Sequence, residues 1–274
     1  MSIRAEHKVI LDKIVRLCQQ EPCFKEELLR RFAHNPLLLS DNDQRIDEIY
    51  EYCIERIIKQ QAQEFYLGFP FGIDELTSDF CRMETFRRKG NFVDFCMATY
   101  QQIEFVVNTI CRDSQIDVAI KQMWGLSSVV NGGKGLGSIS NRCEKKKDGT
   151  KHKTIAELLL FRDENGKITI PDSITNLAAI CKTRVVVYFV GYKASLTTYE
   201  SNTYYNFDSC LRDLYQCRNL NHRGGLLNEK QRQILKGKSS YCYKFMWTLA
   251  QFMDMIRTNY ASINELIKYS ETIK

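Results

Sequence analysis

Apolar residues return every three or four positions through the first third of the chain: Ile10, Ile14 and Leu17; Leu28, Leu29 and Phe32; then Ile46, Ile49, Tyr50, Cys53, Ile54, Ile57 and Ile58. That spacing keeps them on one face of a helix and predicts three amphipathic helices. Ser40 and Asp41 are candidate starts for the third, ahead of an acidic first turn that suits the positive end of the helix dipole. The period breaks at FYLGFPFGIDELTSD, where Gly68, Pro70 and Gly72 fall among aromatic residues. A flexible linker is polar, whereas this stretch is built to pack. We therefore expect a helical module at 1–66, a packed connector at 67–82 and a larger helical domain at 83–274.

A second stripe runs through METFRRKGNFVDFCMATYQQIEFVVNTICR, with Phe92, Cys96, Tyr100, Ile103, Val107 and Ile110 in register, and predicts one long helix over 83–112. Residues 131–153 have no apolar period, and we read an insertion at about 131–170. Within it Asn165-Gly166 stands between short apolar runs, as in a hairpin. After Pro171, DSITNLAAICKTRVVVYFVGY reads as a buried helix, and its β-branched run at 185–187 reads equally well as a strand. Helical spacing resumes at Phe207, Leu211, Leu214 and Cys217. Beyond a polar segment at 222–240, a long closing helix turns Phe245, Leu249, Phe252, Met253, Ile256, Tyr260, Ile263 and Leu266 inward. The expected fold is mainly α, a helical bundle with an inserted loop or short-strand region.

Charge and cysteine content narrow the function classes. Lys and Arg number 39 against 33 Asp and Glu, a net charge of +6 that permits an anionic partner without requiring one. The 11 cysteines are scattered, through apolar runs such as FCMATY and AAICKTR, with no Cys-x-x-Cys pair, which points to reduced, buried thiols and against a zinc site. His7, His34 and His152 have no Cys or carboxylate at metal-ligand spacing, so we expect neither metal nor cofactor. The charged, amphipathic start lacks the apolar core of a signal peptide, and VVVYFV is too short to span a bilayer, so a cytoplasmic protein with no membrane partner is expected. NGGKGLGSISNRCEKKKDGTKHK carries clustered glycines, but no Ser or Thr follows Lys134 as a phosphate-cradling loop requires. It reads as a basic loop whose Lys134, Lys145, Lys146 and Lys147 contact RNA phosphates.

The segment with most chemistry is CRNLNHRGG, 217–225. On a continuous helix Arg218 and His222 share one face about 6 Å apart, and both reach one phosphate. A guanidinium grips a phosphodiester through two parallel hydrogen bonds, and an imidazole moves a proton near neutral pH. Metal-free RNA cleavage needs that pair, because the 2′-hydroxyl is the nucleophile and negative charge grows on the phosphate. The same residues also describe a helix end, with His222 and Arg223 on the last carbonyls and Gly224 left-handed.

Preceded by a long amphipathic helix and followed by a long closing one, LYQCRNLNHRGG resembles the HEPN superfamily over roughly 83–270. That resemblance implies a four-to-five-helix bundle and a metal-independent RNA endonuclease, serving as a toxin-like or antiviral defence effector. It maps Arg218, Asn219 and His222 onto the family's catalytic arginine, polar neighbour and histidine. It also implies a homodimer with a composite site, a single-stranded or tRNA-like RNA substrate, and a regulatory partner or ligand for the N-terminal module. Arg223 would add phosphate affinity, and Asn221 and Glu104 would support the site, a role that for Glu104 stands beside that of a solvated surface carboxylate. Asn219, Leu220 and Asn221 are the three residues between Arg218 and His222, where the family usually has four to six; nine residues separate Arg212 from His222, which is too many. A HEPN-like nucleotide-binding, RNA-binding or dimerisation module without cleavage is therefore the second expectation.

Overall fold

The computed structural model describes residues 5–33, 42–126, 154–194, 201–218, 220 and 227–271, and its named elements are all helical. The chain divides into two compact units, Met1–Phe65 and Tyr66–Lys274.

The first unit holds α1 (Ala5–Gln20), α2 (Pro22–Ala33) and α3 (Asn42–Phe65), the three helices expected from the apolar period. Pro22 opens α2, where its missing N–H costs nothing. Leu17, Phe24, Cys53 and Ile57 form a small buried core, with Ile14, Leu28 and Tyr52 packed against it. The rings of Phe24 and Tyr52 stack at 6.4 Å. Ser40 and Asp41, the expected helix start, lie outside the described residues.

The second unit is organised around α5 (Phe92–Cys111), which packs against α4 (Ile73–Arg88), α8 (Ala179–Val186), α9 (Ser201–Arg218) and α11 (Lys238–Asn259). Its sequence explains this position: Phe95, Ala98, Tyr100, Gln102, Ile103 and Val106 are all fully buried, so it is apolar nearly all round. Tyr66 closes onto it by donating a hydrogen bond to the Gln102 side-chain oxygen.

The single helix expected over 83–112 is instead two. Gly90 adopts φ 69° and ends α4, and the Asn91 side chain caps α5 by accepting from the Asp94 amide. The chain thus doubles back, and α4 lies along α5. Because α4 starts at Ile73, it runs through position 83, where the larger domain was expected to begin.

Asp113 caps the short α6 (Ser114–Met123), and Thr154 with Glu157 forms a capping box on α7 (Ile155–Leu159). The ends of the intervening chain meet there: the Ile155 amide donates to the Leu126 carbonyl at 2.9 Å and that of Ala156 to Trp124 at 3.1 Å. Asn165-Gly166 forms a tight turn with Gly166 at φ 75°, closed by one antiparallel bridge between Arg162 and Ile168. The run at 185–187 is helical, not a strand. It ends α8 and continues as a π-helical segment, Val187–Ala194, with Val185 to Val190 all buried.

The polar stretch after the motif contains α10 (Glu229–Lys236), capped by Asn228 and Gln231. The closing helix is α11 followed, after a 3-10 turn at Tyr260–Ser262, by α12 (Ile263–Glu271). Phe245, Leu249, Phe252, Met253, Ile256 and Ile263 are buried as expected, while Tyr260 is half-buried.

Candidate functional site

Helix α9 delivers Arg218. Its apolar stripe of Phe207, Leu211, Leu214 and Cys217 is buried against the bundle, and the next side chain, Arg218, emerges at the helix end. Arg218 Nη2 lies 3.0 Å from Glu104 Oε2 and 3.3 Å from Oε1, and both side chains are 24% exposed. Glu104 stands in the middle of α5, one turn after Tyr100. The guanidinium sits 5.1 Å from the Tyr100 ring centre and 5.9 Å from that of Tyr215, and the two rings are 5.4 Å apart. A cation at those distances is attracted to the ring faces as well as to the carboxylate.

The Tyr100 ring is held from α8. The Thr183 hydroxyl donates to the Ala179 carbonyl, so the 3.0 Å contact between Thr183 Oγ1 and Tyr100 Oη is donated by the tyrosine. Burial pushes the Tyr100 phenol well above its usual range and the Glu104 charge adds to this, opposed by Thr183 and Arg218. Tyr100 is therefore a buried, neutral wall. On the far side of α9, the Gln216 carbonyl accepts from Gln231 Nε2 at 3.2 Å and its side-chain oxygen from Asn228 Nδ2 at 3.1 Å. The helix end that carries Arg218 is thus tied to α10, the next described helix.

Of the residues read from the sequence, the structure brings Arg218 and Glu104 together, and Glu104 is an ion-pair partner rather than a solvated carboxylate. Asn219, Asn221, His222 and Arg223, together with Lys134, Lys145, Lys146 and Lys147, lie outside the described residues. Tyr100 was read from the sequence only as a core-facing residue, and Thr183 and Tyr215 were not singled out. Tyr100 is four residues before Glu104 and Tyr215 three before Arg218, the helical spacings that put them on shared faces.

Arg212 belongs to a second ionic cluster. Asp208 receives Arg212 Nε at 3.2 Å and Arg184 Nε at 2.9 Å, and Arg184 donates its remaining nitrogens to the Leu158 and Leu159 carbonyls at 2.5 and 2.8 Å. Arg184 and Asp208 are both buried, so this cluster locks α7, α8 and α9 together.

Among the described residues no group of three or more His, Cys, Asp or Glu side chains converges as a metal site, and no helix is long and apolar enough to cross a membrane. The described cysteines are free thiols. Buried Cys96 is in hydrogen-bond contact with Cys217, and burial followed by that contact raises its pKa.

No protein family, curated protein or solved structure matches the chain.

Proposed function

We propose that the protein is a metal-independent RNA endonuclease of HEPN type, with Arg218, Asn219 and His222 acting on a phosphodiester and its neighbouring 2′-hydroxyl. The observation that supports this most is the setting of Arg218: a permanent cation at a helix end, oriented by Glu104 and two tyrosine rings and still open to solvent. A charge held in place before the reaction stabilises a phosphorane-like transition state without reorganising.

In this reading His222 takes the 2′-hydroxyl proton as that oxygen attacks phosphorus. The bond from phosphorus to the 5′-oxygen of the next nucleotide breaks and that oxygen takes a proton from an imidazolium of the site, so that one proton passes overall from the 2′-hydroxyl to the 5′-oxygen, giving a 2′,3′-cyclic phosphate and a 5′-hydroxyl. Arg218 offsets the charge growing on the non-bridging oxygens, and Asn219 orients the histidine or the phosphate. Arg223 and the lysines at 134 and 145–147 add affinity for a single-stranded or tRNA-like substrate. Two copies of the chain form the composite site, and the protein serves as a toxin-like or antiviral defence effector with a regulatory partner or ligand on Met1–Phe65.

The test is cleavage of mixed RNA in excess chelator. Wild-type protein is expected to leave 2′,3′-cyclic ends, and Arg218→Ala and His222→Ala to lower the rate by about 10²-fold or more. A dimeric site further predicts a specific rate that falls on dilution. A second reading, RNA binding without cleavage, is favoured by the three-residue Arg-to-His spacing and by the neutralising partner Arg218 already has in Glu104. Folded wild-type protein that binds RNA and leaves it intact establishes that reading instead.

A further inference from the structure

Helix α11 buries one side against α5 and exposes another, and two large aromatics stand on the exposed side. Tyr243 is 76% exposed and Trp247, one turn on, 53%. Their neighbours on the same stripe, Ser240 and Gln251, are also exposed and carry no charge.

Both flanks of this stripe are cationic. On one side Lys244 of α11 and Lys230 of α10 approach Asp213 at 2.8 and 3.4 Å, two cations for one carboxylate. On the other, Arg87 lies within electrostatic reach of Cys242 and Tyr243 while bound to buried Glu84 at 2.7 Å. Arg88 and Lys89 follow it at the exposed end of α4, and among the described residues neither has an ion-pair partner. The residues so related to the stripe are three cations (Lys230, Lys244, Arg87) against two carboxylates (Asp213, Glu84), a surplus of one, and Arg88 and Lys89 are the next cations along α4.

Flat, amphipathic rings exposed between cations match what a single strand offers: unpaired bases with π-faces, strung on a phosphate backbone. Cations at the flanks suit a polyanionic occupant, and a duplex has no free base faces to stack. We propose that the α11 face around Tyr243 and Trp247, with the α4 end and Lys230 as its rims, binds single-stranded RNA by stacking and backbone neutralisation. The choice of RNA as the strand rests on the proposed function; the surface itself does not include Arg218.

The chain has two tryptophans, and Trp124 is buried at 3% exposure, so Trp247 is the solvent-facing reporter. The experiment is a tryptophan-fluorescence titration of full-length His222→Ala protein with a twelve-nucleotide oligouridylate and with a duplex of equal length. Expected results are quenching by the single strand, affinity about tenfold lower for Tyr243→Ala by fluorescence and for Trp247→Ala by anisotropy of labelled RNA, and near-wild-type affinity for Trp247→Phe. Arg88→Gln and Lys89→Gln should each reduce the slope of log K against log salt by about 0.7. Equal affinity for duplex, or single-strand binding indifferent to Trp247→Ala, overturns the proposal. So does a dimer in sedimentation, without RNA, that Trp247→Ala dissolves, since the face then seats a second copy. Wild-type protein that binds the single strand here and cleaves no RNA overturns only the nuclease reading, and cleavage that persists without this binding overturns only the surface.

Discussion

Arg218 and Glu104 meet at a depth where water still reaches both, and Asp208 meets Arg184 where it does not, so the two ion pairs should respond differently to loss of a charge. At 24% exposure the first pair contributes little to stability, about 1 kcal/mol or less, and its worth lies in the orientation of the guanidinium. Glu104→Gln is expected to leave the urea midpoint nearly unchanged while lowering RNA cleavage about tenfold; a large fall in stability with unchanged cleavage would show a purely structural pair. Asp208→Ala removes the carboxylate that buried Arg184 requires, and should cost about 3–5 kcal/mol in urea unfolding. The buried thiols and phenols add a pH signature. Burial pushes Cys111 from 9.0 up to about 12 and raises Cys96, Tyr66 and Tyr100 as well. Their folded pKa values exceed the unfolded ones, so the stability they contribute is complete below about pH 9 and declines as pH rises above it. Unfolding free energies at pH 7.5, 9 and 10.5 check this, and a value that rises across that range would contradict it.

At the scale of elements, the α4–α5 turn shows what was legible and what was overlooked. The stripe from Phe92 to Ile110 reads correctly as a core-facing helix, but Lys89-Gly90-Asn91 is a stop-and-start signal inside the same run: a glycine to end one helix and an asparagine to cap the next. Gly90→Ala should cost about 1–2 kcal/mol, because a Cβ there meets no atom within 4 Å and only the left-handed backbone resists it. Gly72→Ala should cost more. Gly72 has φ 63°, and an added Cβ would come within 2.6 Å of Phe105 Cζ. Thermal melts of the two variants give the comparison. The run Val185 to Val190 was ambiguous for a physical reason: a helix buried on every side has no polar face, so it loses the period that distinguishes it from a buried strand. The α11 aromatics were legible only in part, since sequence spacing placed Phe245 and Leu249 inward and said nothing of what Tyr243 and Trp247 would find outside.

For the whole molecule, the break at the aromatic stretch was visible as lost periodicity, and the division falls between Phe65 and Tyr66. The pairing of Arg218 with Glu104 was less so, because 114 residues separate them and only the packing of α9 on α5 joins them. A separation of 83 residues likewise explains why Thr183 and Tyr100 were not read as neighbours. Elsewhere the chain closes on itself more simply. Ile155 bonds directly to Leu126 and Ala156 to Trp124, while Arg184 grips the far end of α7. These clasps use main-chain atoms of α7 at both of its ends, so the docking of this short helix is written in backbone geometry rather than in the lettering of its side chains. Exchanging Ala156 for another small residue should leave both clasps in place, and with them the seat of α7 on the bundle that carries Arg218.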